Sequence, residues 1–295
     1  MTLKLQGNAV VPAASAARTA PPNTVPFMTD LSEIHSAHRI SPTRQPASAA
    51  ISLRQVSKRF ARRNDAPLHV LDSIDLDIPH GHVVAVLGAS GCGKSTLLNL
   101  IAGLAHPDEG SILVEGASTA AYSDWGAVGY LFQDDRLLPW RTARDNVCFG
   151  LEAGRLPRAE RHARAAAALE AVGLAGFGAA YPHELSGGMR SRVALARSLV
   201  TEPRILLLDE PFSKLDPGTR AQMHAQLLEI QASRGMTVVF VTHDVEEAIV
   251  LADQVVILRP RPGRIREIAP VSLARPRLPS EPEVAELIRQ LRVLV

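Results

Sequence analysis

Gly88-Ala89-Ser90-Gly91-Cys92-Gly93-Lys94-Ser95-Thr96 decides the fold. A glycine, four residues and then Gly-Lys-Ser is the spacing of a loop that wraps phosphate. Ahead of it stands Val83-Val84-Ala85-Val86-Leu87, short and β-branched, which reads as a buried parallel strand. Behind it, Leu97-Leu98-Asn99-Leu100-Ile101-Ala102 reads as a helix, so the glycines sit at a strand-to-helix turn. Glycine lets the backbone approach phosphate oxygens closely, and successive N–H groups form an anion nest. The helix N-terminus adds partial positive charge. Lys94 can then reach β- and γ-phosphates, and the Ser95 hydroxyl can ligate magnesium. The bland alternative is a chance Gly-rich turn, and the flanking strand and helix weigh against it.

Working outward, 295 residues suffice for one large or two small domains. The formal net charge of +2 resides in the first fifty residues, where Lys4, Arg18, Arg39 and Arg44 face Asp30 and Glu33. The remaining body is formally neutral, which argues against a dedicated nucleic-acid binder. Two cysteines, Cys92 and Cys148, without metal-ligand spacing suit a reducing cytoplasm. No apolar run approaches the length of a membrane span, so work at a membrane would need spans from another chain.

Residues 1–50 are rich in Ala, Pro, Ser and Thr and read as a disordered extension, with Met28 as an alternative start. Order is expected from Ile51. Ile51–Val56 and Val70–Ile78 alternate as strands, with Lys58-Arg59-Phe60 in a loop between them. Ser111–Val114 and Val128–Phe132 read as further strands. From Gln133 to about Leu185 the texture changes to a mostly helical insertion, with Arg158–Val172 its Ala-rich helix. The α/β pattern then resumes: a helix over Met189–Leu199, a strand over Ile205–Leu208, a helix over Thr219–Ser233 and a strand over Thr237–Val241. Asp244 with Glu247 forms a capping box for the next helix, and Val255–Leu258 reads as the last strand. Such alternation implies parallel βαβ units.

Asp209 ends an all-apolar strand, where ligands of open α/β sheets bind, and can hold magnesium. Glu210 beside it can polarise an attacking water as general base. His243 and Gln133 end two other strands, within reach of a γ-phosphate, its magnesium or the water. Alone, each is as readily a surface residue. Leu185-Ser186-Gly187-Gly188-Met189 opens a helix whose free N–H groups and Ser186 hydroxyl can bind an anion. An ordinary Ser N-cap is the plain alternative. A second phosphate-binding helix start makes sense if it serves another molecule.

In this order the motifs resemble the ATP-binding subunits of ABC transporters, over about residues 51–275. Gly88–Thr96 resembles Walker A, Gln133 the Q-loop residue, Leu185–Gly188 the signature and Ile205–Asp209 Walker B with Glu210 its catalytic base. Ser213-Lys214-Leu215-Asp216 resembles the D-loop, His243 the switch histidine, and Phe60 the aromatic that stacks on adenine. Met189 and Lys214 depart from the commoner Gln and Ala. The resemblance implies a P-loop NTPase (RecA-like) α/β core with an inserted helical subdomain at about 134–186, and a C-terminal tail over 276–295. It implies ATP and Mg2+ as cofactors, with Ser95, Gln133 and Asp209 on the metal and Glu210, His243 and Gln133 catalytic. It further implies a head-to-tail homodimer, each ATP shared between one Walker A and the partner's signature. Two membrane permease subunits and, indirectly, a periplasmic solute-binding protein complete the expected assembly, at the cytoplasmic face of the inner membrane.

Gln133-Asp134-Asp135-Arg136-Leu137-Leu138-Pro139-Trp140-Arg141-Thr142 is similar to the Q-loop segment of nitrate, taurine and aliphatic sulfonate importers. Glu246-Glu247-Ala248 and Pro260-Arg261-Pro262-Gly263-Arg264-Ile265 also recur in that branch. The expected cargo is aliphatic sulfonate or taurine, then nitrate, then a thiamine-precursor pyrimidine. A soluble ABC ATPase of repair or translation fits less well, because one cassette stands here without zinc insert or long coiled-coil arms. The Leu-Leu-Pro-Trp segment argues against an exporter, and the presence of Lys94, Asp209, Glu210 and His243 against an inactive scaffold.

Overall fold

The computed structural model describes residues 49–62 and 65–294. Met28 and nearly all of the extension expected over 1–50 lie outside the described residues, while Ala49 and Ala50 already open the first strand. In chain order the strands are β1 (Ala49–Arg62), β2 (Asp65–Pro79), β3 (Val83–Leu87), β4 (Glu109–Val114) and β5 (Ala117–Ser118). They continue as β6 (Val128–Leu131), β7 (Ile205–Asp209), β8 (Thr237–Thr242), β9 (Gln254–Arg259) and β10 (Arg264–Pro270). The helices are α1 (Lys94–Ile101), α2 (Ala143–Phe149), α3 (Arg158–Ala171), α4 (Gly187–Leu199), α5 (Pro217–Arg234), α6 (Val245–Leu251) and α7 (Pro282–Arg292).

The strands make two sheets. One is antiparallel, in the order β2-β1-β4-β5; the other runs β10-β9-β3-β8-β7-β6, parallel except for β10 at its edge. β3, β7 and β8 are buried along their whole lengths, as central parallel strands with both faces covered must be. Their side chains alternate between two cores. Val83, Ala85, Leu87, Leu206, Leu208, Val238 and Phe240 join the core that also takes the helical insertion and α6. Val84, Val86, Ile205, Leu207, Val239 and Val241 face α1 and the antiparallel sheet. A slip of one residue in any of these strands would exchange the two sets.

Several local expectations need correction. Phe60 lies within β1, paired with Leu68 of β2, because the strands continue past the Lys58-Arg59-Phe60 stretch through a series of bulges. β9 is not the last strand; β10 folds back on it, its exposed and charged residues giving the alternation of an edge rather than a buried run. α4 starts at Gly187, because Ser186 caps it by accepting from Met189 N. Asp244 caps α6 by accepting from Glu246 N and Glu247 N, but the Glu247 side chain turns to His224, 3.4 Å away, so the reciprocal half of the capping box is not made. Beyond residue 275 the chain continues in register with the fold: α7 buries Val284, Ile288 and Leu291 in the core.

Candidate functional site

The order β3-β8-β7 brings three strand ends together. The phosphate-loop residues follow β3, His243 follows β8, and Asp209 and Glu210 close β7. All lie at the C-terminal edge of the parallel strands, where such sheets bind ligands. Val70, Ser90, Gly91, Gly93, Lys94, Ser95, Thr96, Gln133 and Glu210 line one cleft of about 330 Å³. Gly91 and Gly93 hold φ of 78° and 98°, a backbone only glycine adopts without strain. Gly88 is needed for a different reason: a Cβ there would stand 2.7 Å from the Leu258 carbonyl and 2.8 Å from Cys92 Sγ. Ala89 is exposed at the rim. Lys94 is buried, and its ammonium donates to the carbonyls of Gly88 at 2.7 Å and Ala89 at 3.0 Å, folding the loop about its own cation.

Asp209 is 5 % exposed and its Oδ1 is buried without a hydrogen-bond partner. Burial raises its carboxyl pKa; the Ser95 hydroxyl opposes this, the neighbouring Glu210 adds to it and the Lys94 charge opposes it. A desolvated carboxylate oxygen with no donor, next to a serine hydroxyl, is a fit for a hard cation. Glu210 takes φ 47°, strained for a bulky residue, with its N–H donating to the Val241 carbonyl at 3.1 Å. In that turn its carboxylate meets His243, whose Nδ1 stands 3.4 Å from Glu210 Oε1. Glu210 therefore borders both the cleft and the adjoining hollow that holds Ser213 and His243.

The remaining site residues fall elsewhere. Phe60 does not line the cleft; it is exposed on β1 beneath the Lys58 ammonium, 5.5 Å from its ring centre, and Val70 of β2 forms that wall instead. Leu185 is buried, Ser186 is exposed, and Gly187, Gly188 and Met189 open α4; none of the five borders the cleft. Met189 packs against the core, which a methionine does as well as the stem of the commoner glutamine. Cys92 is buried, and burial raises its thiol pKa, so it is a poor nucleophile in this conformation.

Sequence patterns gave no sign of the residues that hold Gln133 in place. Lys214 donates to the Gln133 carbonyl at 3.1 Å and pairs with Asp134 at 3.6 Å. From α4, Arg197 donates to the carbonyls of Asp135 at 2.7 Å and Arg136 at 2.8 Å, and Arg190 pairs with Asp135 at 3.1 Å. Further along, the fully buried Asn146 accepts from Leu138 N and donates to the carbonyls of Leu138, Arg141 and Thr142. That knot fixes the Leu-Leu-Pro-Trp segment and leaves Trp140 71 % exposed.

Comparison with known proteins agrees with this geometry. The family model described as ABC transporter matches residues 71–213. The taurine import ATP-binding protein TauB of Rhizobium johnstonii is 44 % identical over 245 residues, which is 80 % of this chain and 92 % of that protein. The aliphatic sulfonates import ATP-binding protein SsuB of Mycobacterium avium is 46 % identical over 247 residues, 82 % of this chain and 91 % of that one. Among solved structures, a dimeric ATP-binding cassette in a post-hydrolysis state with ADP and Pi bound superposes with a TM-score of 0.70 at 31 % identity. That match covers 76 % of this chain and all of the other. With its phosphate loop, paired acidic residues and histidine meeting at one sheet edge, and with relatives matched over most of their length, the chain belongs to the family of ABC transporter ATP-binding subunits.

Proposed function

We propose that this chain hydrolyses ATP to drive an importer of aliphatic sulfonates or taurine. The observation that carries the ATPase reading is the meeting of Lys94, Ser95, Gln133 and Glu210 in one cleft beside the unpartnered Oδ1 of Asp209. Gly88–Thr96 would wrap the phosphates. Ser95, Asp209 and Gln133 would hold Mg2+, whose part is to neutralise charge on the transferred phosphoryl group. Glu210 accepts the proton of the attacking water, and His243 orients Glu210 from 3.4 Å.

Leu185–Met189 stand apart from the chain's own cleft, and that separation supports a head-to-tail homodimer in which the segment meets the ATP of the partner. Among the described residues no helix is long and apolar enough to cross a membrane. By the likeness to importer ATP-binding proteins, two permease subunits would supply the spans and this subunit would sit on them at the cytoplasmic face. The rigidly held Gln133–Trp140 segment and the helical insertion over 134–186 are the surface on which they would dock. A periplasmic solute-binding protein would deliver the cargo, which never touches this chain. The cargo class rests on the sulfonate and taurine importers among the relatives. The test is growth of a deletion strain on taurine or an alkanesulfonate as sole sulfur source, with sulfate as control. A defect confined to sulfonates and cured by complementation is expected. Normal growth on both sulfonates, in a strain with no second sulfonate importer, overturns the cargo and moves the test to nitrate and pyrimidine.

A further inference from the structure

Pro260-Arg261-Pro262-Gly263-Arg264 turns the chain from β9 into β10 and contributes no wall to the nucleotide cleft. It is nevertheless fastened to two of the parts that line the cleft, β2 at Val70 and the phosphate loop. Gly263 is buried; its N–H donates to the Val70 carbonyl at 2.8 Å, and its carbonyl accepts from Asp72 N at 2.9 Å. Those two bonds make a parallel bridge across Leu71. Arg264 closes the same contact, donating from Nε to Asp72 Oδ2 at 2.6 Å and from Nη2 to the same oxygen. The guanidinium holds the Asp72 carboxyl below the usual carboxylate range. Val70, one residue before the bridge, is a wall of the cleft.

The other side of Gly263 meets the phosphate loop. A Cβ at that position would fall on the Cys92 carbonyl oxygen and stand 3.0 Å from both Leu71 Cδ2 and the Val70 carbonyl. Only a hydrogen fits. The Cys92 carbonyl and the Gly93 N–H belong to one planar trans peptide and point in opposite directions. A carbonyl directed at Gly263 therefore turns the Gly93 N–H away from the turn, and Gly93 lines the cleft with φ 98°. In a site built from backbone donors, the direction of one peptide plane is the direction of one hydrogen bond to phosphate.

We propose that the Arg261–Arg264 turn is a positioning element of the nucleotide site. Gly263 sets the plane of the Cys92–Gly93 peptide, and hence a phosphate-facing N–H, while the Arg264–Asp72 pair keeps the turn and Val70 in register. This rests on the ATP-binding reading above. The experiment measures ATP binding by calorimetry, and KM and kcat for ATP hydrolysis, on the full chain and its variants. For Gly263→Ala, Kd and KM for ATP rise about tenfold while kcat at saturating ATP falls less than about threefold, with the circular dichroism spectrum unchanged. A merely structural role would lower kcat at constant KM, and that result overturns the proposal, as does a Gly263→Ala protein with the wild-type Kd.

Should Gly263→Ala not fold, the pair decides. Arg264→Gln and Asp72→Asn each raise KM about threefold, their double variant no more than either alone, and Arg264→Lys recovers part of the loss. Additive or absent effects overturn the proposal. Wild-type protein that binds no ATP overturns the nucleotide reading and this inference together. Wild-type binding with indifferent variants overturns this inference alone.

Discussion

Asp209 and Glu210 are neighbours of one chemistry held in two environments, and their substitutions should diverge. Glu210→Gln keeps the shape of the side chain and removes its basicity. Turnover should fall at least about a hundredfold while calorimetric ATP affinity stays within about threefold. A Glu210→Gln protein with wild-type turnover would remove Glu210 from the role of base. Asp209→Asn acts on stability as well. The raised carboxyl pKa means that the folded protein holds this proton more tightly than the unfolded chain does. The group therefore lowers stability once pH rises past its unfolded value, and the penalty is complete above its folded value. At neutral pH without ligand, Asp209→Asn should melt a few degrees higher than wild type, while losing the extra stabilisation that Mg2+ adds to ATP. An Asp209→Asn protein that melts lower would show the unpartnered carboxylate not to be a burden. At this scale, fixed offsets along the chain singled out Lys94, Ser95, Asp209 and Glu210, which the structure brings to one sheet edge. They did not reveal Val70, which lines the cleft and whose carbonyl accepts from Gly263 N nearly two hundred positions away.

Elements here are tied to each other by arginine and lysine reaching backbone carbonyls, a contact with no sequence periodicity. Strand and helix positions were legible because apolar runs and caps are local. The grip of α4 on Asp135 and Arg136, and the docking of the segment after β10, depend on long side chains crossing between elements. Lys214 is the exposed case. Its ion pair with Asp134 is worth at most about 1 kcal/mol, so Lys214→Ala should change ATPase turnover by no more than about fivefold. The effect should shrink with added salt, whereas a salt-independent change would point to the hydrogen bond with the Gln133 carbonyl instead. Arg277 is the buried case. It donates to the carbonyls of Leu273, Ile249, Ala252 and Val271, closing the end of α6 and fastening the segment that leads to α7. Arg277→Ala leaves those carbonyls short of donors and should cost about 2–4 kcal/mol, read from the urea midpoint. Arg277→Lys should recover only part, since a single ammonium cannot serve four acceptors spread around a guanidinium.

For the whole molecule, the proposed shared site, with the start of α4 outside the chain's own cleft, predicts ATP-dependent association. Glu210→Gln with ATP and Mg2+ should elute from gel filtration as a dimer, and with ADP as a monomer. A nucleotide-independent elution volume would count against the shared site. The parallel core was legible throughout, because strands buried on both faces are spelled out in Val, Ile and Leu. Its antiparallel edge was not, because β10 carries Arg264, Arg266, Glu267 and Pro270 among its seven residues. That composition has a consequence for how copies of the chain can meet. An unpaired strand edge is a template for adding another strand, and charge and proline are what discourage it. A subunit whose association is meant to follow its nucleotide must not also associate by zipping sheets together, since such a union would ignore ATP and would not reverse on hydrolysis. Replacing Arg266 and Glu267 with valine should therefore yield aggregates that form equally with ATP, ADP or neither. The charges of β10 guard one of the two edges of that sheet against a union that nucleotide would not reverse.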